Sequence, residues 1–402
     1  MSLLLAERLS TVKPSPSMAA KVRVDALRAA GRRIIDFTIG EPDFPTPAHI
    51  VEAGALALAQ GHTRYTASAG TPALRNAIAA KLARENGFVV PPSQVVVGCG
   101  AKHIIYNAFA ATLNEGDEVI VPAPYWVSYP DMVAINGGKP VIVTAGADAG
   151  FKMSAQALAA AITPRTRWVV LNTPNNPTGA VYSRSELEAL CEVLRAHPHV
   201  WLLTDEIYEH FVYGGARHVA PLDVAPDLAT RTLVVNGLSK TYAFTGWRIG
   251  FGAGPKPLID AITLLLSQST SCACSASQAA AVAALEGPQQ CVSDAVVRFA
   301  ERRDRIVAGL NAIDDFSCTA PDGAFYVFPS VAGLLGRRTP AGDVLNNDVD
   351  VMRYLLEHVG VATIDGASYG LPSHLRLSFA TSLEEIDAGC LAIANAVKDC
   401  TR

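Results

Sequence analysis

The sequence predicts an α/β protein: a mostly parallel sheet covered by helices on both faces, followed by a smaller α+β domain. Three features predict it. Short, nearly unbroken apolar runs recur between residues 93 and 255, as expected of strands buried on both faces. Amphipathic stretches of helix length separate them, which is the spacing of βαβ units. Beyond about residue 290 the pattern changes to a long charged helix, a strand-like run and a closing helix.

The strands expected in the sheet are Val95 to Val97, Glu118 to Val121, Pro140 to Val143, Trp168 to Leu171, Trp201 to Thr204, Leu233 to Val235 and Ile249 to Gly252. Covering helices are expected over Lys102 to Leu113, Ser183 to Ala196 and Pro257 to Leu266, whose polar positions fall on one face. In the last quarter, helices are predicted over Val296 to Ile313 and Leu383 to Val397, with a strand over Ala324 to Phe328. The expected division is an N-terminal arm (1–45, partly joining the small domain), a large domain (46–290) and a small C-terminal domain (291–402). The loop Ser330 to Asp348, rich in Gly, Arg and Asn, reads as the most mobile segment.

Composition narrows the function. A chain of 402 residues with 50% hydrophobic and 17% charged residues can bury a large core. A net charge of -4 gives no basis for a polyanionic partner, so no nucleic acid is expected. The leucine run in Met1 to Ala6 has no basic segment before it and meets Glu7, which suits neither a signal peptide nor a membrane span; a cytoplasmic protein is expected. Eight scattered cysteines include no CxxC pair, and Cys272 with Cys274 lack the number and spacing of metal ligands; reduced thiols and no metal are expected.

Chemistry gathers where strands end. Lys240, in Asn236-Gly237-Leu238-Ser239-Lys240, follows one strand and precedes Gly246-Trp247-Arg248-Ile249-Gly250. The C-terminal edge of such a sheet is where ligands bind, and an amine in a dry crevice loses its charge cheaply enough to form an imine with an aldehyde. Alone, it would read more simply as a surface lysine. Asp205, in Asp205-Glu206-Ile207-Tyr208, leaves the neighbouring strand at the same edge, where a buried carboxylate can keep a pyridine nitrogen protonated. Alone, it would read as an acidic N-cap of a following helix. Tyr208, three residues on and expected on the same face of a helix, can donate to a phenolic oxygen, and so can Asn176 in the stiff loop Asn172-Thr173-Pro174-Asn175-Asn176-Pro177-Thr178-Gly179. Gly98-Cys99-Gly100-Ala101-Lys102-His103 ends another strand with glycines and a helix start, which suits a phosphate but is not a dinucleotide fingerprint.

Together with Pro124-Tyr125-Trp126-Val127-Ser128-Tyr129, His374-Leu375-Arg376-Leu377-Ser378 and Gly40-Glu41-Pro42-Asp43-Phe44, these motifs resemble the class I aminotransferases of pyridoxal-phosphate fold type I, in their bacterial aspartate aminotransferase branch. The resemblance implies pyridoxal 5'-phosphate as cofactor, joined to Lys240. It implies that Arg248 clamps the phosphate with the amides of Gly100, Ala101 and Lys102. Trp126 would stack on the ring, and Arg376, with Asn176 and the backbone of Gly40, would hold the substrate α-carboxylate. It further implies a homodimer in which Tyr65 reaches the phosphate of the neighbouring subunit. One departure stands out: many relatives have a serine three residues before the lysine, where this chain has Gly237, and Ser239 is the alternative hydroxyl.

The reaction so implied moves an amino group between an amino acid and a 2-oxo acid, most simply aspartate and 2-oxoglutarate, in ping-pong order. No arginine lies between Pro257 and Val297 to take a distal carboxylate. In the subgroup that the chain most resembles, a lysine at the matching position of the Gly-Ala-Lys turn can do that work, and the resemblance thereby implies Lys102 for the role. Aromatic, prephenate-like or neutral donors, or a β-lyase reaction, remain alternatives. A DNA-binding regulator of the same fold is disfavoured, because about 40 residues before the large domain are too few for a helix-turn-helix module.

Overall fold

The structure is a computed structural model and describes residues 5–12 and 16–402. The start of the leucine run and part of the N-terminal arm lie outside the described residues. Among the described residues twelve strands occur in chain order: β1 (Ile35–Asp36), β2 (Val95–Gly98), β3 (Glu118–Ala123), β4 (Lys139–Thr144), β5 (Thr166–Asn172), β6 (Trp201–Asp205), β7 (Thr232–Gly237), β8 (Gly250–Ala253), β9 (Tyr326–Val327), β10 (Val361–Ala362), β11 (Ile364–Asp365) and β12 (Leu375–Ser378).

Seven of them form one sheet in the order β2-β8-β7-β6-β5-β3-β4. β8 runs antiparallel to both its neighbours, and the remaining pairs are parallel. Alternate residues of each strand enter two different cores. Val95, Val97, Val169 and Leu171 pack on one side, while Val96, Trp168 and Val170 pack on the other. Apart from the edge strand β4, which is partly exposed, the strands are buried on both faces, which is why they read as unbroken apolar runs rather than alternating ones.

Register brings the motif residues to one rim. Asn172 pairs with Asp205, and Asp205 with Val235, two residues before Gly237 ends β7. The helix Ala101–Thr112 begins at the same level, after Gly100, whose φ of 93° a side chain would resist. No helix follows Asp205, contrary to the N-cap reading; the chain makes successive turns through Ile207 to His210. Asp205 Oδ1 still accepts from the Ile207 amide at 3.2 Å, as a capping carboxylate would. The helix is lost because Ile207, Tyr208 and Phe211 are drawn into a third core with Phe299, Phe325 and Phe379. Burial of aromatic surface there outweighs local helix preference.

That third core is built on the three-stranded sheet β11-β12-β9 and the helices Gln290–Asn311 and Leu383–Asp399. β1 from the N-terminal part pairs in parallel with β10. The loop over Ser330 to Asp348 is tied down: Gly336 N donates to the Leu345 carbonyl at 2.8 Å, and Arg338 bridges to Val344 and Thr401. Among the described residues, no helix is long and apolar enough to cross a membrane.

Behind the rim lies a buried polar network that the sequence did not reveal. Lys81, on the helix Pro72–Glu85, pairs with Glu209 and donates to Asn86 Oδ1 at 2.7 Å. Asn86 and Asn236 both donate to Glu209 at 2.6 Å, and His218 meets Glu206 at 3.1 Å. Burial alone would raise the Glu209 carboxyl, but Lys81, His210 and His218 hold it down at about 2. Lys81→Met is expected to lower stability by about 3–5 kcal/mol in urea unfolding, because Glu209 is left buried without its counter-charge.

Candidate active site

A cavity of about 310 Å³ opens at the C-terminal rim of the sheet and collects residues from every motif described above. Its size is that of a small-ligand pocket. Lys240 and Asp205 line it together, as do Tyr208, Asn176, Gly40, Gly100, Ala101, Lys102, Trp126, Ser239, Arg248 and Arg376. Tyr65 does not: its side chain is 89% exposed, away from this chain's cavity.

Lys240 Nζ donates to the Gly40 carbonyl at 2.5 Å. Burial lowers its pKa to about 8, with Arg376 and Arg248 pushing the same way against Glu41 and Asp205. Asp205 accepts from the Tyr129 hydroxyl at 2.6 Å. Burial raises its carboxyl to about 6, against the pull of Tyr129 and the Ile207 amide. Tyr208 pairs hydroxyl to hydroxyl with Tyr326 at 2.9 Å, and burial keeps it protonated well above the ordinary phenol range.

At one end of the cavity, Arg248 donates to the Thr245 carbonyl at 2.8 Å and the Cys99 carbonyl at 3.1 Å. Its backbone φ of 59° is a left-handed conformation that non-glycine residues rarely adopt, the kind of strain that functional sites retain. Gly100 holds a left-handed φ of 93°, and a Cβ there would push the Arg248 guanidinium aside. Gly100 N is engaged with the Gly98 carbonyl at 2.8 Å, so of the three amides expected to meet an anion only those of Ala101 and Lys102 remain at the open helix end. Gly237 sits against Gly250 and Ile249, where a Cβ would be crowded at 3.1 Å from each, and does not line the cavity, whereas Ser239 does.

At the other end, Arg376 is 2% exposed and donates to the Thr38 carbonyl at 2.6 Å and to Asn176 Oδ1 at 3.4 Å. Its Nε has no partner among the described residues. Lys102 stands over the Trp126 ring at 4.7 Å, and burial together with Arg248 lowers its pKa. Trp126 meets Tyr129 edge-on at 5.3 Å. Sequence reasoning gave no role to Tyr129, Tyr326, Thr38 or Glu41. Tyr129 was visible only as the last residue of a motif, and Tyr326 sits in a short apolar run with nothing to mark it.

This donor set suits pyridoxal phosphate. Arg248 and a free helix end would suit a dianion, and a buried carboxylate and an amine of lowered pKa line the same cavity. A buried guanidinium with a free N–H waits at the far end for a carboxylate. Such a combination defines an enzyme that works on amino acids through a vitamin B6 aldehyde. The chain belongs to the class I and II aminotransferases, whose family model matches residues 32–393. It is therefore a pyridoxal-phosphate-dependent transaminase.

It is 49% identical to an aspartate aminotransferase of Rhizobium meliloti over 96% of each chain, and 49% identical to an aspartate/prephenate aminotransferase of Cereibacter sphaeroides over 97% of each. The crystal structure of a Rhizobium meliloti aspartate aminotransferase superposes with a TM-score of 0.97 at 48% identity, covering 100% of both chains. The Thermus thermophilus enzyme with maleate gives 0.92 at 40% identity, over 98% of this chain and 100% of that one.

Asp205 has a pH consequence in the cofactor-free protein. Its folded pKa of about 6 exceeds its ordinary 3.8, so its contribution to stability is full below pH 3.8 and is lost as pH rises through 6. The Asp205→Asn variant does not titrate. Between those limits it is expected to gain about 3 kcal/mol on the wild type, read from urea unfolding across the pH range.

Proposed function

We propose that this transaminase moves the amino group of aspartate to 2-oxoglutarate, with Lys240 as the proton-transferring group. One observation carries this reading: a half-buried amine and a buried carboxylate line one cavity together with two guanidinium groups. When bound, the cofactor supplies an aldehyde that condenses with amines and a ring that accepts electrons.

The chain's own residues do the rest. Lys240, with its pKa of about 8, is partly neutral near pH 7, so it can take a proton from the substrate Cα and return it elsewhere. Asp205, oriented by Tyr129, keeps a proton on the ring nitrogen. Tyr208 and Asn176 donate to the phenolic oxygen, and Trp126 fixes the tilt of the ring by stacking. Arg248, the amides of Ala101 and Lys102, and the Ser239 hydroxyl hold the phosphate. Arg376, using the N–H left free beside Thr38 and Asn176, binds the α-carboxylate with help from the Gly40 backbone. Both half-reactions use this one cavity, which makes the kinetics ping-pong.

Lys102 is assigned the distal carboxylate, because it borders the cavity with its ammonium over the Trp126 ring. An exposed Tyr65 is assigned to the phosphate of a second subunit in a homodimer. Residues 46–290 are proposed as the large cofactor-binding domain, 291–402 as the small one, and 1–45 as the arm; the location is cytoplasmic. A second reading, a prephenate-like 2-oxo acid as acceptor, draws on the name of the Cereibacter sphaeroides relative.

Lys240→Ala is expected to retain cofactor absorbance while losing at least roughly 10⁴-fold in turnover; sustained multiple turnover would refute the role. Lys102→Leu should raise the KM for aspartate about 10-fold and hardly change those for alanine and phenylalanine, since only aspartate loses a charge-assisted bond. Equal effects on all three donors would remove Lys102 from the assignment.

A further inference from the structure

Tyr326 touches three groups that carry proposed roles. Its hydroxyl lies 2.9 Å from that of Tyr208, and the Arg376 guanidinium stands over its ring at 4.6 Å. A Cβ placed on Gly40 would be 3.2 Å from the same hydroxyl, and Gly40 supplies the carbonyl that accepts from Lys240 Nζ. Tyr326 is fully buried by its neighbours yet lines the cavity.

A phenol has one proton to give and two lone pairs to receive with. With Tyr208 donating its proton to the cofactor's phenolic oxygen, the hydroxyl pair survives only if Tyr326 donates to Tyr208. A hydroxyl that accepts one hydrogen bond donates the next more strongly. Around Arg376, the Tyr326 ring lies on one contact and the Tyr369 ring on another at 5.4 Å, so the guanidinium is held by aromatic faces as well as by the Thr38 carbonyl.

We propose that Tyr326 is a positioning residue with two separable parts: a hydroxyl that strengthens Tyr208 as a donor, and a ring that holds Arg376 ready for the substrate α-carboxylate. The inference rests on the roles given above to Tyr208 and Arg376. The groups facing Tyr208 are Tyr326, Arg376 and Asp205, with Lys240 Nζ 5.9 Å from its ring; burial dominates and keeps its phenol protonated. Tyr208 is therefore a donor throughout the neutral range.

The test uses reconstituted holoenzyme, with the visible cofactor band titrated against pH and succinate, an unreactive dicarboxylate, as the binding probe. A donor to the phenolic oxygen weakens that oxygen's hold on the neighbouring proton whose loss changes the band. Tyr326→Phe, which lacks only the hydroxyl, is thus expected to raise the titration midpoint by roughly half a pH unit, with succinate affinity within about 2-fold of wild type. Tyr326→Leu should raise the midpoint equally and also weaken succinate by roughly 3- to 10-fold, with KM for amino donors rising more than kcat falls. A midpoint unmoved or lowered in Tyr326→Phe overturns the hydroxyl's part, and unchanged succinate affinity in a folded Tyr326→Leu overturns the ring's. Thermal unfolding reports whether each variant folds; if Tyr326→Leu does not, Tyr326→Trp, which keeps a ring, should restore succinate binding, and failure to do so counts against the ring. Tyr208→Phe and Arg376→Lys are measured beside them. If those two shift neither readout, the underlying site roles fail; if they shift both while the Tyr326 variants shift none, only the present inference does.

Discussion

Exclusion of water from the rim of one sheet is the constraint on which this molecule depends. An ammonium and a carboxylate both prefer water, and burying them moves each toward its neutral form: Lys240 down to about 8 and Asp205 up to about 6. Those displaced values come from the fold rather than from the residues. Lys240 on an open surface would be almost fully charged near neutral pH and would have little to offer as a proton carrier. The strand register, which sets Asn172 beside Asp205 and Asp205 beside Val235, is what delivers both groups into one crevice.

Much of the fold was legible because the sheet is buried on both sides. All seven apolar runs are strands of that sheet, differing from expectation by one to three residues at their ends. The helix expected after Asp205 was not legible as a series of turns, since the cause is non-local: Ile207 and Phe211 find aromatic partners more than eighty residues further along the chain. The segment Ser330 to Asp348 looked loose by composition, but its backbone groups find partners in Thr401 and in the segment itself. In the cavity, residues carried by motifs could be named in advance, while Tyr326 and Thr38 could not. Their contribution comes through a hydroxyl and a carbonyl whose neighbours are brought by folding, and no spacing rule signals that.

The phosphate end shows why one departure from the family pattern costs little. Gly237 is wedged against β8, where a Cβ would crowd Gly250 and Ile249, and it faces away from the cavity. Ser239 reaches the cavity instead. Gly250 is equally confined, since a Cβ there would lie 2.1 Å from the Ala101 amide. The start of one helix is thereby pressed on the start of β8, and β8 on the end of β7, so Arg248, held in its left-handed conformation, has a stiff frame to lean on.

Asp205 and Tyr208 are separated by two residues, yet they answer to different masters. Asp205 ends a strand of the large sheet, whereas the Tyr208 ring is packed into the aromatic core shared with Phe325 and Tyr326. Three peptide bonds thus join a carboxylate placed by strand register to a phenol placed by aromatic packing, so a substitution among Phe299, Phe325 and Phe379 disturbs the phenol while the carboxylate keeps its place in the sheet.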